Sequence, residues 1–153
     1  MALTKAHNRM IEGAPVSVKD YGAVGDGATD DTAALKACFD YAIPIAATVV
    51  IPSGAYKISG PLQTVTSIAS GGLHLDVGAD VTITVDSGAT AFDTVLYFET
   101  TAISSASITG GRLSINGADL ASSGITIRHT ASTGGDVNLS AKLKLTNFKE
   151  VGA

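Results

Sequence analysis

The chain has 153 residues and a mass of 15.4 kDa, the length of one domain or of one domain with a short arm. Apolar residues make up 45% of it and charged residues 16%, which excludes a solvated disordered tail. The net charge of -4 argues against nucleic-acid binding by bulk attraction to phosphates. No apolar run reaches the length of about 18 residues that a membrane span needs, so we expect no membrane insertion.

The first residues form a separate segment that ends at a proline. Pro15 fixes its own φ and pushes Ala14 towards an extended conformation. The preceding residues place too few apolar side chains on one face for a stable isolated helix. We therefore divide the chain into a short extended or helical arm, residues 1–14, and a folded part, residues 15–153.

A strand, a glycine-rich turn and a helix follow the arm. Residues 16–18 alternate in the manner of a strand, and residues 21–27 contain three glycines. The helix is predicted to begin at Thr29 or Asp30, since either side chain can cap free amides, and to end at Pro44. Its apolar face, at three- and four-residue spacing, consists of Ala34, Leu35, Cys38, Phe39 and Ala42.

Beyond the helix the apolar period changes from near 3.6 residues to 2, which indicates strands. Short alternating stretches separated by small-residue turns continue to the end of the chain. They lie at residues 48–52, 56–58, 73–77, 81–85, 125–127 and 143–145. We predict no second helix.

An internal repeat points to stacked coils. Residues 71–80 align with residues 110–119, because both begin with two glycines and end in Gly-Ala-Asp, and a further double glycine lies at residues 134–135. Such spacing is typical of solenoids. We therefore predict an all-β fold, a parallel β-helix capped by the helix of residues 31–43. A β-sandwich is the alternative, but hairpin dipeptides and aromatic core residues are scarce.

The capping prediction is specific about side chains. In a solenoid the apolar core of the first coil needs a cover. We expect Leu35, Phe39 and Ala42 to face the first coil, with Val50 and Ile58 opposite.

The opening of the folded part resembles a known family. Residues 16–35, which include Asp20-Tyr-Gly-Ala-Val-Gly-Asp26-Gly, and residues 49–56 closely resemble the start of the pectate-lyase-like superfamily of right-handed, single-stranded parallel β-helix proteins. Residues 5–14 resemble the short amino-terminal arm of bacteriophage tailspikes within that superfamily. Beyond Gly60 only the general pattern agrees.

The resemblance implies a homotrimeric tailspike in the virion, made in the host cytoplasm. It implies that the arm docks on phage tail or baseplate proteins and that the β-helix recognises bacterial surface polysaccharide. The arm residues expected to make the attachment are Leu3, Lys5, Asn8, Arg9, Met10 and Ile11. Because residues 145–153 read as the middle of a coil, we expect the amino-terminal portion of a longer protein. The resemblance implies that this longer protein is a polysaccharide depolymerase, whereas these 153 residues are not expected to be an enzyme by themselves.

The glycine-rich segment at residues 25–30 precedes a helix, as a dinucleotide-binding loop does. It lacks the third glycine, and Asp30 and Asp31 would repel a pyrophosphate. Counted as a calcium loop from Asp26, it has unsuitable residues at the glycine and glutamate positions. We predict no cofactor and no metal. Cys38 is predicted to be a packed side chain rather than a reactive thiol.

Other polar pairs were weighed as catalytic groups. His74 and Asp76 share the outer face of one strand, which suits a base and its carboxylate but also a solvated surface. Residues 128 and 129, Arg and His, point to opposite sides of a strand. Asp80 and Asp119 end the two aligned repeats and would stack if those repeats were neighbouring coils, although turn aspartates that cap amides are the simpler interpretation. The catalytic residues therefore stay unknown.

Three hypotheses follow. The first is a structural module, in which the arm anchors the spike and the capped coils begin the trimeric shaft. The second is a complete polysaccharide lyase or glycoside hydrolase, which needs acid and base groups on one face. The third is a carbohydrate-binding module without catalysis.

Overall fold

The computed structural model describes residues 14–65, 72–100, 106–129, 137–140 and 142–148. Within them lies one α-helix, α1 (Thr32–Ala42), with short 3-10 turns at Val18–Tyr21 and Ile43–Ile45. The strands are β1 (Val16–Ser17), β2 (Asp26–Asp30), β3 (Thr48–Ile51), β4 (Gly54–Ile58), β5 (Leu62–Val65), β6 (Leu73–Val85), β7 (Phe92–Thr100), β8 (Ala106–Asn116), β9 (Ala121–His129), β10 (Val137–Leu139) and β11 (Lys142–Thr146).

The described strand pairs are all parallel and lie on three faces. The first face contains β1, β3, residues 73–77 of β6, residues 106–110 of β8, and β10. The second contains β2, β4, residues 80–85 of β6, residues 112–116 of β8, and β11. The third contains β5, β7 and β9. Successive stretches of chain visit the faces in the same order, so the fold is mostly β and consists of stacked parallel coils, as predicted.

The long strands β6 and β8 serve two faces because each turns a corner. The β6–β8 register shifts between Val77 and Asp80. Gly110 has a φ of 102°, and a Cβ there would collide with the carbonyl of Val77. The double glycine at residues 110–111 therefore lets one corner stack directly on another.

The predicted repeat alignment is wrong in register. Val49 lies opposite Leu75, 26 residues later, and Val81 lies opposite Leu113, 32 residues later. Asp80 lies opposite Arg112. Coil length varies because the connections between faces vary, so two similar glycine motifs 39 residues apart do not occupy equivalent positions.

The core is built from the inward positions of the strands. Tyr56, Ile83 and Ile115 form one buried column in register, and Val49, Leu75 and Ile108 form another. The residues alternating with them lie on the outside, as the period of two predicts. A column of stacked side chains fills each side of the interior.

Helix α1 covers the first coil, but its ends differ from the prediction. Leu35, Phe39 and Ala42 are buried, and α1 contacts β1, β3 and β5. The helix begins after Asp31, because residues 26–30 are extended and pair with β4 instead of forming a turn and a first helical turn. It ends at Ala42, where the 3-10 turn containing Pro44 takes over.

Two smaller predictions also need correction. The strand predicted at residues 16–18 stops at Ser17, since Val18 begins a 3-10 turn. Val50 is only half-buried, whereas Val49 and Ile51 point into the core, so the predicted partner of the helix was one position out of phase. Ile58 is buried as predicted.

Candidate functional site

The acidic residues before α1 form a structural network. Asp31 is 1% exposed, and its carboxylate accepts hydrogen bonds from the backbone N–H groups of Val24 (2.6 Å) and Gly25 (3.0 Å). It occupies the N-cap position of α1 but makes no side-chain bond to the helix amides. Its role is to tie the preceding turn to the helix start, whereas Asp30, one of the two predicted caps, accepts a hydrogen bond from the backbone N–H of Thr32, the first residue of α1 (3.0 Å).

The two neighbouring carboxylates are exposed and also satisfied by the chain. Backbone N–H groups of Thr29 and Ala28, with the Thr29 hydroxyl, donate to Asp26 and lower its pKa. The hydroxyls of Ser59 and Thr32 donate to Asp30 and lower its pKa in the same way. Each of the three carboxylates of the acidic motif therefore accepts hydrogen bonds from within the chain. Among the described residues, no three His, Cys, Asp or Glu side chains converge as metal ligands would.

Cys38 is buried among the apolar side chains of α1, as predicted. Burial, with a smaller contribution from the charge of Asp20, raises the pKa of its thiol to about 12. A thiol that stays protonated at neutral pH is a poor nucleophile.

His74 and Asp76 do share an outer face, as predicted. The His74 Nδ1 atom lies 2.8 Å from the Ser107 hydroxyl on the next coil, and Asp76 is exposed. The imidazole thus bridges two coils of the first face. This contact fits a hydrogen-bonded polar surface.

The remaining polar pairs are placed by the backbone of the turns and strands. Asp119 lies in a turn with a φ of 59°, and its own backbone N–H donates to the Asn147 carbonyl, so it does not stack on Asp80. Residues 128 and 129 lie opposite Glu99 and Thr100 in the β7–β9 register. The predicted attachment residues Leu3, Lys5, Asn8, Arg9, Met10 and Ile11 lie outside the described residues.

The described surface contains a groove of about 430 Å³ on the third face, where β5 and β7 begin. Its described lining comprises Pro61, Ala91, Phe92, Asp93, Thr94 and Tyr97. The volume lies in the range of small-ligand pockets. We call it the β7 groove.

The polar side of the β7 groove continues onto the next coil. The Thr94 hydroxyl lies 3.1 Å from the Ser123 hydroxyl and 3.3 Å from the Thr126 hydroxyl, both on β9. Ser123 also donates to the Asp93 carbonyl. The groove therefore combines two aromatic rings, one carboxylate and a row of hydroxyl groups, the kinds of group that bind a polyhydroxylated ligand.

Sequence reasoning missed this groove because residues 92–100 do not alternate cleanly and were not identified as a strand. The sequence did contain one sign of the groove. The chain has only 4 Phe, 4 Tyr and no Trp, yet Phe92, Tyr97 and Phe98 fall within seven residues. β7 also supplies the buried core residues Val95 and Leu96, and Phe92 packs against the core, so the local enrichment in aromatic residues was the only part of this signal that pointed to a binding surface.

No helix in the described part of the chain is both long and apolar enough to cross a membrane.

Comparison with known proteins identifies short matches to polysaccharide epimerases, to an alginate lyase and to a LysM effector. Mannuronan C5-epimerase AlgE3 of Azotobacter vinelandii is 53% identical over 45 residues, 29% of this chain and 2% of that protein. Alginate lyase 7 of the same organism is 53% identical over 45 residues, 29% of this chain and 5% of the lyase. The LysM effector LysM19 of Penicillium expansum, described as non-secreted, is 46% identical over 48 residues, 31% of this chain and 4% of the effector.

The chain thus spans a small fraction of the length of these relatives, and no solved structure matches it. The family model "Rhamnogalacturonase A/epimerase, pectate lyase-like" matches residues 15–109, well over half of the chain. The matched segment comprises the acidic network, α1, the first coils and the β7 groove. The chain therefore belongs to the rhamnogalacturonase A/epimerase, pectate lyase-like family.

Proposed function

We propose that this chain is the amino-terminal part of a bacteriophage tailspike whose right-handed β-helix binds bacterial surface polysaccharide. The observation that carries the binding function is the β7 groove on a scaffold of this family. The aromatic rings offer flat faces to the C–H surface of a sugar. The carboxylate accepts hydrogen bonds from sugar hydroxyls, and the protein hydroxyls both donate and accept them. The names of the relatives, epimerase and lyase, support a polysaccharide as the ligand class.

Binding, rather than cleavage, is the function proposed for these residues. Glycoside hydrolysis commonly uses two carboxyl groups about 5 to 9.5 Å apart. In its described lining the β7 groove has one carboxylate, that of Asp93. A complete lyase or hydrolase is the alternative, and product formation would reveal it.

The attachment function rests on the resemblance of residues 5–14 to tailspike arms. In this proposal Lys5, Asn8 and Arg9 donate hydrogen bonds to a tail or baseplate protein while Leu3, Met10 and Ile11 supply apolar contacts. Three chains form the spike, and three arms that reach one site raise the affinity through effective concentration.

The binding function is tested with the chain and a panel of immobilised bacterial capsular and lipopolysaccharide glycans. We expect at least one glycan to bind, Tyr97→Ala to lose that binding, and Tyr97→Phe, which keeps the ring, to retain most of it. Circular dichroism establishes that each variant folds. A Tyr97→Ala variant that is folded and binds as well as the wild type would contradict the groove assignment, and released oligosaccharide would favour the enzyme.

A further inference from the structure

The coils around the β7 groove are unusual in their charge. From Ile58 to Gly111 the sequence contains no lysine and no arginine, yet it contains Asp76, Asp80, Asp86, Asp93 and Glu99. This stretch supplies all of β6 and β7 and most of the described groove lining. A polyanionic ligand would meet negative potential here, with no neighbouring cation in the stretch to offset it.

Close to the groove, acidic residues also outnumber basic ones. Asp93 is exposed in the groove wall. The basic residue nearest to it in the β7–β9 register is Arg128, which lies opposite Glu99, so this pair of positions adds one charge of each sign. Asp93, Glu99 and Arg128 together therefore carry one net negative charge.

The remaining groups suit an uncharged sugar. An ionised carboxylate accepts hydrogen bonds only, whereas the hydroxyls of Thr94, Ser123 and Thr126 both donate and accept. Sugar hydroxyls can donate to Asp93 and exchange bonds with that row. A uronate carboxylate also accepts only, so Asp93 can donate nothing to it and repels it by its like charge.

Resting on the proposed function, we propose that the β7 groove selects an uncharged glycan and discriminates against polyuronates, the polymers that the names of several relatives indicate. Thr94 on β7 and Ser123 on β9 lie opposite each other on successive coils. A glycan that follows this hydroxyl row crosses the strands and runs along the stacking direction of the coils.

The test uses polymers that differ only in charge. The chain is titrated with mannuronan and with the same polymer after its carboxyl groups are reduced to alcohols, and with polygalacturonate and its reduced form, all at low salt. Dextran and chitosan extend the series to a neutral and a cationic backbone. We expect the reduced polymers to bind on the order of tenfold more tightly than the acids, and the difference to shrink as salt screens the repulsion.

Two variants make the test specific for the groove. Asp93→Asn should raise affinity for the uronates roughly three- to tenfold, because it removes the closest like charge. Asp76→Asn removes the same charge from the exposed first face, farther from the groove, and should raise the affinity for the uronates less than Asp93→Asn does.

The outcomes separate the two proposals. Tighter binding of the uronates, with or without added calcium, overturns the selection for neutral glycans but leaves polysaccharide binding intact. Tighter binding of chitosan than of dextran overturns it in favour of an amino sugar. If no polymer in this series and no glycan of the bacterial panel binds, the proposed function itself fails.

Discussion

The buried carboxylate of Asp31 should be one of the most sensitive positions in the chain. It is 1% exposed and accepts two hydrogen bonds, from the backbone N–H groups of Val24 and Gly25. A hydrogen bond to a charged group contributes about 1.5 to 3 kcal/mol, so removing both should cost about 3 to 6 kcal/mol. That is a large share of the roughly 5 to 15 kcal/mol that stabilises a typical domain.

The experiment compares three variants by urea unfolding monitored by circular dichroism. Asp31→Ala leaves both amides without an acceptor. Asp31→Asn keeps one acceptor oxygen but turns an NH₂ group towards the second amide. Its free energy of unfolding should therefore fall by about half as much as that of Asp31→Ala. Asp40→Ala, on the exposed side of α1, removes the same charge and should change stability by less than about 0.5 kcal/mol.

We expect the unfolding midpoints to fall in the order wild type and Asp40→Ala, then Asp31→Asn, then Asp31→Ala, with similar slopes. An Asp31→Ala midpoint equal to that of Asp40→Ala would refute the reasoning, because the two backbone amides would then have found water or another acceptor at no cost.

Four further predictions follow from the cap, the acidic loop and the proposed spike. Phe39→Ala, at a side chain 1% exposed, should lose about 3 to 5 kcal/mol, and an unchanged denaturant midpoint would remove the capping role. Because hydroxyl donors lower the pKa of Asp30, its contribution to stability is complete above its ordinary value of 3.8 and is lost as the pH falls through the lowered pKa. Asp30→Asn should therefore weaken the acid dependence of the urea midpoint below that value, and an unaltered dependence would contradict the assignment. Light scattering should give three chains per particle, whereas a monomer would show that this chain alone does not trimerise. Deleting residues 2–12 should leave folding intact and abolish incorporation into phage particles, and a deletion variant that still assembles would place attachment elsewhere.

Local patterns in the sequence were enough to predict the helix face and the class of fold. Leu35, Phe39 and Ala42 recur at helical spacing and are buried, because an amphipathic helix has only one face to cover with other residues. The alternation in residues 73–77 and 81–85 identified inward and outward positions correctly, since a strand side chain can point only to one side or the other. The packed state of Cys38 was predictable for the same reason.

Contacts between distant residues required the tertiary structure. The sequence contains Asp31, but its partners Val24 and Gly25 are brought to it only when β2 pairs with β4 and the chain reverses before α1. Coil register depends on the lengths of the connections, so the glycine motifs at residues 71–80 and 110–119 suggested a spacing that the stacked coils do not have.

The β7 groove shows most clearly which contacts only the tertiary structure could establish. Pro61 precedes β5, while Phe92 and Tyr97 belong to β7, one coil later, and the row of hydroxyls extends to β9 on the coil after that. Local sequence determined the aromatic and hydroxyl side chains themselves and the absence of lysine and arginine around them. Only the parallel stacking of successive coils decided that they meet, because a binding surface formed across coils depends on register, and register is a property of the whole chain.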